Sequence, residues 1–328
     1  MRGDVLITGA SGLIGGAVAR RLRRAGVPVR ALVRPTSAVA ELEEIGARLA
    51  VGDVRDAAAV EAAAAGTSCI FHFAGLLGAA GLPDRDYADV HVGGTANVLA
   101  AAAKHGVGRV VHGSTIGVHG NVLEVPCHED TPFNPGDLYQ RTKLEGERLA
   151  RAAAERGQPV TIVRPASVYG PRDRRLLKLF QLLRRGRFVM FGDGRSRWHP
   201  IYIDDLVDGL VLAAERPEAR GRTYILAGPR HVALAEWIAE VARAVGGREP
   251  RLRLPYPLLH AASALCEAAC RPFGVEPPLH RRRASFFVNE RAFTSRRAED
   301  ELGFRPKVDI PEGVGRTASW YRELGLLD

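Results

Sequence analysis

Apolar residues along this chain fall in short runs, each followed by a turn and a longer stretch of mixed apolar and charged positions. DVLIT (4–8) is a run of strand length, and a glycine-rich turn separates it from a helical pattern over Leu13 to Ala25. VRALV (29–33), RLAVGD (48–53) and CIFHFAG (69–75) repeat the strand signal, with Ala/Glu-rich helical stretches between them. A long helix is predicted over 86–105, then a strand at RVVHGST (109–115), a helix opened by PGDLYQRTK, and a sixth strand at PVTIVRP (159–165). Strands alternating with helices predict a parallel sheet covered on both faces. Right-handed crossovers then make it a doubly wound, Rossmann-like α/β fold.

After Pro171 the pattern changes. Residues 173–185 read as an amphipathic helix, and 186–200 (GRFVMFGDGRSRWHP) as turns. IYIDDLVDGLVLAAE returns to strand then helix, and TYILAG (223–228) is a further strand. The expected division is a sheet domain of residues 1–170 plus about 201–228, and a smaller C-terminal α/β lobe of about 171–200 and 229–328. PYPLLHAASALCEAACRPFG reads as an apolar core helix of that lobe, with a lid or lipid-facing helix as the alternative. HRRR (280–283) either grips an acidic substrate group or is simply exposed.

Composition changes little in this picture. Of 328 residues, 46% are hydrophobic and 25% charged, as in ordinary globular chains. The net charge is +9, but the arginines are spread over separate elements (20–24, 172–175, 281–283), so a solvated surface is favoured over a nucleic-acid groove. A basic chain suits small anionic ligands. No apolar run spans a bilayer and DVLIT begins almost at once, so no integral membrane segment and a cytoplasmic chain are expected. Cys69, Cys127, Cys266 and Cys270 lack metal-ligand spacing, so no metal is expected and the thiols are read as reduced.

The turn after the first run reads TGASGLIG, with Gly9, Gly12 and Gly15 between a strand and a helix. Such glycines let the backbone bend and approach a pyrophosphate on the helix N-terminus, which points to a dinucleotide. Asp53 can accept a hydrogen bond from an adenine amino group; the alternative is a helix N-cap, which Asp56 could also supply. The second strand ends in Val33 and Arg34 rather than in an acid. Arg34 and Ser11 can hold a 2′-phosphate, so the reading leans to NADP within NAD(P). Tyr139 and Lys143 stand at i and i+4 on one helix face. An ammonium nearby lowers the pKa of a phenol, so Tyr139 can exchange a proton with an alcohol or ketone. Ser114 or Thr115, just after the fifth strand, offers a hydroxyl for the substrate oxygen.

TGASGLIG, GDVRD, FHFAG, STIGVHG, YQRTK and VRPASVYGP occur in the order and spacing of the extended short-chain dehydrogenases/reductases, which the chain resembles nearly end to end. The resemblance implies catalytic Thr115, Tyr139 and Lys143. Thr115 is chosen over Ser114 because the family's hydroxyl lies five residues before the glycine of its VYG-like motif, here Gly120. It also implies cofactor contacts from Leu13, Ile14, Gly15, Val54, Ala74, Gly75 and Pro165, with Lys143 on the nicotinamide ribose, and a homodimer. Where the family often has Asn in NVxGT, this chain has His91, which leaves either a modified proton relay or a buried histidine. Ser167 stands where nucleotide-sugar enzymes carry Asn, and RSRWHPIYIDD has Trp198 where they carry Arg, with Arg197 one residue earlier. Ser114, Ser167, Arg197 and His199 are the candidate substrate contacts. The wording of VRPASVYGP is more like the 3β-hydroxysteroid branch. The expected function is therefore NAD(P)-dependent interconversion of a secondary alcohol and a ketone on a small molecule. The alternatives are a nucleotide-sugar epimerase or dehydratase with tightly held NAD, and a non-enzymatic NAD(P)-sensing regulator.

Overall fold

The computed structural model describes residues 3–77, 83–122, 124–273, 275, 277, 279 and 281–327. Its strands, in chain order, are β1 (Asp4–Thr8), β2 (Val29–Val33), β3 (Arg48–Val51), β4 (Thr67–His72), β5 (Arg109–Gly113), β6 (Val160–Pro165), β7 (Ser167–Tyr169), β8 (Met190–Phe191), β9 (Arg197–Trp198), β10 (Pro200–Tyr202), β11 (Thr223–Leu226), β12 (Val232–Ala233) and β13 (Arg253–Leu254). Seven of them form one parallel sheet in the order β11-β6-β5-β4-β1-β2-β3. Covered on both faces, these strands can be apolar throughout, which is why they read as runs rather than alternations. TYILAG closes the sheet as β11, pairing with β6.

Helix α1 (Leu13–Arg24) and α8 (Ile203–Glu215) cover one face; α3 (Ala57–Ala64), α5 (Gly94–Lys104) and α6 (Leu138–Glu155) cover the other, with α2 (Ala40–Glu44), α4 (Asp84–Ala88) and α7 (Leu177–Arg184) at the margins. Asp56 caps α3 by accepting from Ala58 and Ala59 N–H, and Asp137 caps α6 by accepting from Gln140 N–H at 2.8 Å. The long helix predicted over 86–105 is α4 and α5 joined by a π-helical turn, Asp89–Gly93. Gly146 of α6 packs on that turn, where a Cβ would lie 2.4 Å from the His91 carbonyl oxygen.

Two readings of the tail change. The helix expected from 173 starts at Leu177, because Asp173 accepts from Arg175 N–H and folds the preceding residues into a turn. The stretch 186–200, read as turns, contains β8, β9 and the start of β10; β9 pairs antiparallel with Val232–Ala233 and β10 pairs parallel with β7. Beyond lie α9 (Leu234–Ala244) and α10 (Tyr256–Cys270), then α11 (Arg281–Ala284), α12 (Arg296–Leu302) and α13 (Ile310–Glu323). The core-helix reading of PYPLLHAASALCEAACRPFG is corrected: along α10 only Leu259 and Ser263 are buried. Of HRRR, His280 and the side chains of Arg282 and Arg283 lie outside the described residues. No described helix is long and apolar enough to cross a membrane.

The inner face of α6 carries charge. Glu147 is fully buried and meets the equally buried Arg164 of β6 through Nε at 3.0 Å and Nη2 at 2.6 Å. Burial alone would raise the Glu147 pKa; the Arg164 hydrogen bonds and charge, with Ser114 donating at 2.6 Å, hold it below the usual carboxylate range. Arg164 also donates to the Glu129 carbonyl and bonds His119 Nε2. Removing one member strands the other charge in the core. Glu147→Ala should therefore cost about 3–5 kcal/mol of stability, read as a lowered urea midpoint, and the double change Glu147→Leu with Arg164→Met should recover most of it.

Candidate active site

The sheet's carboxyl edge opens into two clefts that meet around the glycine turn. The first, of about 270 Å³, is lined by Gly9, Ser11, Gly12, Arg34, Ser37, Asp53, Val54, Ala74 and Gly75 among others. Gly9 has φ +70°, and a Cβ on it would lie 2.6 Å from the Phe73 backbone. Gly15 lines neither cleft; its missing Cβ lets α1 sit on the turn, 2.3 Å from the Gly9 carbonyl oxygen if it were present. Gly12 is the N-cap of α1, with no side-chain cap and no acid in the first turn. Beyond Gly9 O, nothing stands within 4 Å of a Cβ built on Gly12. Uncapped N–H groups on an open glycine backbone fit a pyrophosphate. Leu13 begins α1, partly buried against the core, while Ile14 reaches the second cleft.

Asp53 receives Arg55 through Nε at 3.0 Å and Nη2 at 2.9 Å, and chiefly these hydrogen bonds lower its pKa. Asp56, not Asp53, takes the N-cap role. Arg34 is exposed at the rim, its N–H bonded to Ser37 Oγ at 3.1 Å. Ser11, Ser37 and Arg34 thus share one cleft, and the end of β2 presents no carboxylate.

The second cleft, of about 350 Å³, is lined by Ile14, Thr115, Tyr139, Pro165 and Ser167 together with residues of the C-terminal lobe. Thr115 caps a one-turn 3₁₀ helix, accepting from Gly117 N–H at 3.1 Å. Tyr139 sits in the first turn of α6, its ring edge-on to His91 with centroids 5.6 Å apart. Lys143 lies beneath, buried, donating from Nζ to the Gly113 carbonyl at 2.5 Å. Desolvation lowers its pKa to about 8, against the opposing pull of Glu147.

His91 Nε2 accepts from Leu76 N–H at 3.0 Å, so its proton is on Nδ1, 2.8 Å from Thr142 Oγ1. Burial, then the Lys143 charge, lower its pKa to about 3. Both nitrogens are committed to the fold around a neutral ring.

Of the expected substrate contacts, Ser114 and Ser167 line this cleft, and His199 and Arg197 do not. Ser114 borders the cleft, its hydroxyl donating to Glu147 and so available to a substrate only as an acceptor. His199 is buried, with Nε2 on the Gly228 carbonyl and Nδ1 accepting from Phe293 N–H. Arg197 is exposed outside the cleft, because successive strand residues face opposite sides and Trp198 takes the inward one. The cationic groups in the cleft are instead Arg175 and Arg291, neither anticipated from sequence. Arg175 belonged to a cluster read as solvated surface. It is held by Asp173 through Nε and Nη2, both at 2.8 Å, and lies close enough to Tyr139 for their charges to interact. Arg291 places its guanidinium 5.1 Å from the Trp198 ring centroid. The only signal for Arg175 is its place just after YGP; Arg291 has none.

Residues 5–227 match the model of the NAD dependent epimerase/dehydratase family. The chain belongs to that family. Within the extended short-chain dehydrogenases/reductases, it is 31% identical to the 2-alkyl-3-oxoalkanoate reductase of Stenotrophomonas maltophilia (strain K279a), over 95% of this chain and 97% of that protein. It is 30% identical to Sterol demethylase protein B of Methylococcus capsulatus (strain ATCC 33009 / NCIMB 11132 / Bath), over 98% of this chain and 99% of that one. The crystal structure of DesIV, a dTDP-glucose 4,6-dehydratase from Streptomyces venezuelae with NAD and TYD bound, superposes with a TM-score of 0.77 at 26% identity, covering 98% of this chain and 97% of that chain. This member of the epimerase/dehydratase family is accordingly an enzyme of the oxidoreductase type. Gly12→Val fills the open face of the turn and should weaken dinucleotide binding about tenfold or more, measured by fluorescence titration, with the far-UV circular dichroism unchanged.

Proposed function

We propose that this enzyme interconverts a ketone and a secondary alcohol on a substrate with an apolar body, as a reductase or dehydrogenase of 2-alkyl-3-oxoacid or hydroxysteroid type. One observation carries the reading: Tyr139 opens into a cleft walled largely by Leu77, Ile116, Val168, Leu176, Trp198, Trp237 and Phe293, with Ser167 where a sugar-nucleotide enzyme carries Asn. The glycine turn, Asp53, Ala74, Gly75 and Pro165 would hold a nicotinamide cofactor, which would supply hydride chemistry at the cleft. In reduction, the Tyr139 hydroxyl gives its proton to the substrate oxygen, and Thr115 donates a hydrogen bond to the same oxygen. The Lys143 ammonium stabilises the phenolate that forms. In oxidation the phenolate takes the proton back. Arg34, Ser37 and Ser11 select the 2′-phosphate of NADP.

Arg175 and Arg291 favour a second reading, in which the same cleft receives a nucleoside-diphosphate sugar and Tyr139 oxidises it transiently on tightly held NAD. The two readings separate on nucleotide stoichiometry. A reductase is isolated empty and consumes NADPH with each turnover. An epimerase or dehydratase releases NAD on denaturation and shows no net consumption.

Tyr139→Phe should cut turnover by about 10²–10⁴-fold while NADPH still binds; unchanged turnover would sink the mechanism. Arg34→Ala should abolish the preference for NADPH over NADH, seen as about a tenfold rise in the KM for NADPH alone. Lys143 is charged below its pKa of about 8 and neutral above it, so the reduction rate should fall as pH rises through that value. A flat profile across this range would exclude the lysine charge from the step.

A further inference from the structure

Helix α10 wears its apolarity on the wrong side for a core element. Its inward stripe is Leu259, Ser263, Cys266 and Cys270, buried or half-buried. Its outward stripe is Leu258, Ala261, Ala262, Leu265, Ala268 and Ala269, all exposed. Leu265 is 72% exposed, and Phe273, just past the helix, is 79% exposed. Val275 and Leu279 continue the exposed apolar surface, and Leu252 precedes it. Most of the exposed large apolar side chains among the described residues fall in this one segment. Isolated exposed apolar residues are ordinary, but a contiguous stripe marks a contact surface.

The surrounding charge says what covers it. Over 251–283 the sequence has six arginines against two glutamates. Arg251 and Arg253 flank the start of α10 and are exposed. Glu267, the one acid on the helix, is tied to Arg281 by Nε at 2.8 Å and by the Arg281 N–H at 2.7 Å. A second copy of this chain would bring the same arginines against these. An anionic bilayer surface instead offers phosphates to the arginines and the acyl boundary to the leucines.

We propose that α10, with Phe273 just past it, docks this protein peripherally on an anionic lipid bilayer, with Leu258, Leu265 and Phe273 inserted at the headgroup–acyl boundary and Arg251 and Arg253 on the lipid phosphates. The helix lies in the plane of the interface and does not cross it. The docked segment leads to the second cleft: after α11, Ser285 lines that cleft, and Phe286 packs edge-on against Trp198 with centroids 4.9 Å apart. An apolar substrate dissolved in the bilayer would then reach the cleft through one short piece of chain. The docking rests on surface chemistry and stands independently of the reaction proposed above.

The test is co-sedimentation of the full chain with vesicles of phosphatidylcholine alone and of phosphatidylcholine with phosphatidylglycerol. The same is done for Leu258→Gln with Leu265→Gln, both exposed positions, with the fold checked by circular dichroism. The wild type should pellet with the phosphatidylglycerol vesicles, and binding should fall about tenfold or more on neutral vesicles and in the double variant. Wild type left in the supernatant with both vesicles overturns the proposal. So does a double variant that binds as well as wild type, because adsorption is then charge alone. A wild-type dimer in sedimentation velocity that the double variant splits, without vesicle binding, would assign the face to a second copy and also overturn it.

Discussion

Four pieces of backbone converge behind the proposed catalytic residues, and one ion pair out of reach of water holds them in register. Glu147 follows Lys143 by one turn of α6, and its carboxylate takes both the Arg164 guanidinium of β6 and the hydroxyl of Ser114 at the end of β5. Arg164 reaches on to His119, which closes the 3₁₀ turn that Thr115 begins. Thr115 is thus braced by Ser114 on one side and by His119 on the other, while the same carboxylate fixes the helix that carries Tyr139 and Lys143. A buried pair of this kind gains little net stability over an apolar pair of similar volume. Its worth here is geometric: Arg164, a planar fork with all three nitrogens engaged, leaves no second arrangement that keeps every group satisfied. The charge also matters for Lys143, since Glu147 is the nearby anion that keeps a buried ammonium protonated near neutral pH.

Much of this was legible in the residues because it follows from periodicity. Strands buried on both faces must be apolar runs, and turns that bring backbone to backbone must be glycine, so β1 to β6, β11 and the glycine turn stand out in one dimension. Tyr139 and Lys143 share a helix face by spacing alone. The rest depends on contacts between distant segments. Arg175 lies in a string of arginines that looks like surface, and only the turn closed by Asp173, with Arg172 at φ +75°, aims it into the cleft. A two-residue strand decides that Trp198 faces in and Arg197 out, and so short a strand shows no alternation to read. Arg291 joins the site from almost a hundred residues away, by the Arg291 N–H bond to the Arg197 carbonyl. The π turn at Asp89–Gly93, which brings His91 against Thr142 and Tyr139, adds one residue to a helix without changing its composition.

The cleft itself joins two chemistries that seem to ask for different substrates, apolar walls and two arginines. Their partners resolve the conflict. Arg175 brings its own counter-ion, a bidentate Asp173, so it adds little net charge to the cleft. Arg291 lies against the Trp198 face, an arrangement in which a guanidinium meets an apolar surface at little desolvation cost. A diphosphate carries two negative charges and calls for two uncompensated cations. A ketone with an apolar body asks mainly for an apolar wall. Arg175 paired with Asp173, and Ser167 rather than an amide donor in the lining, favour the apolar substrate proposed above over a diphosphate.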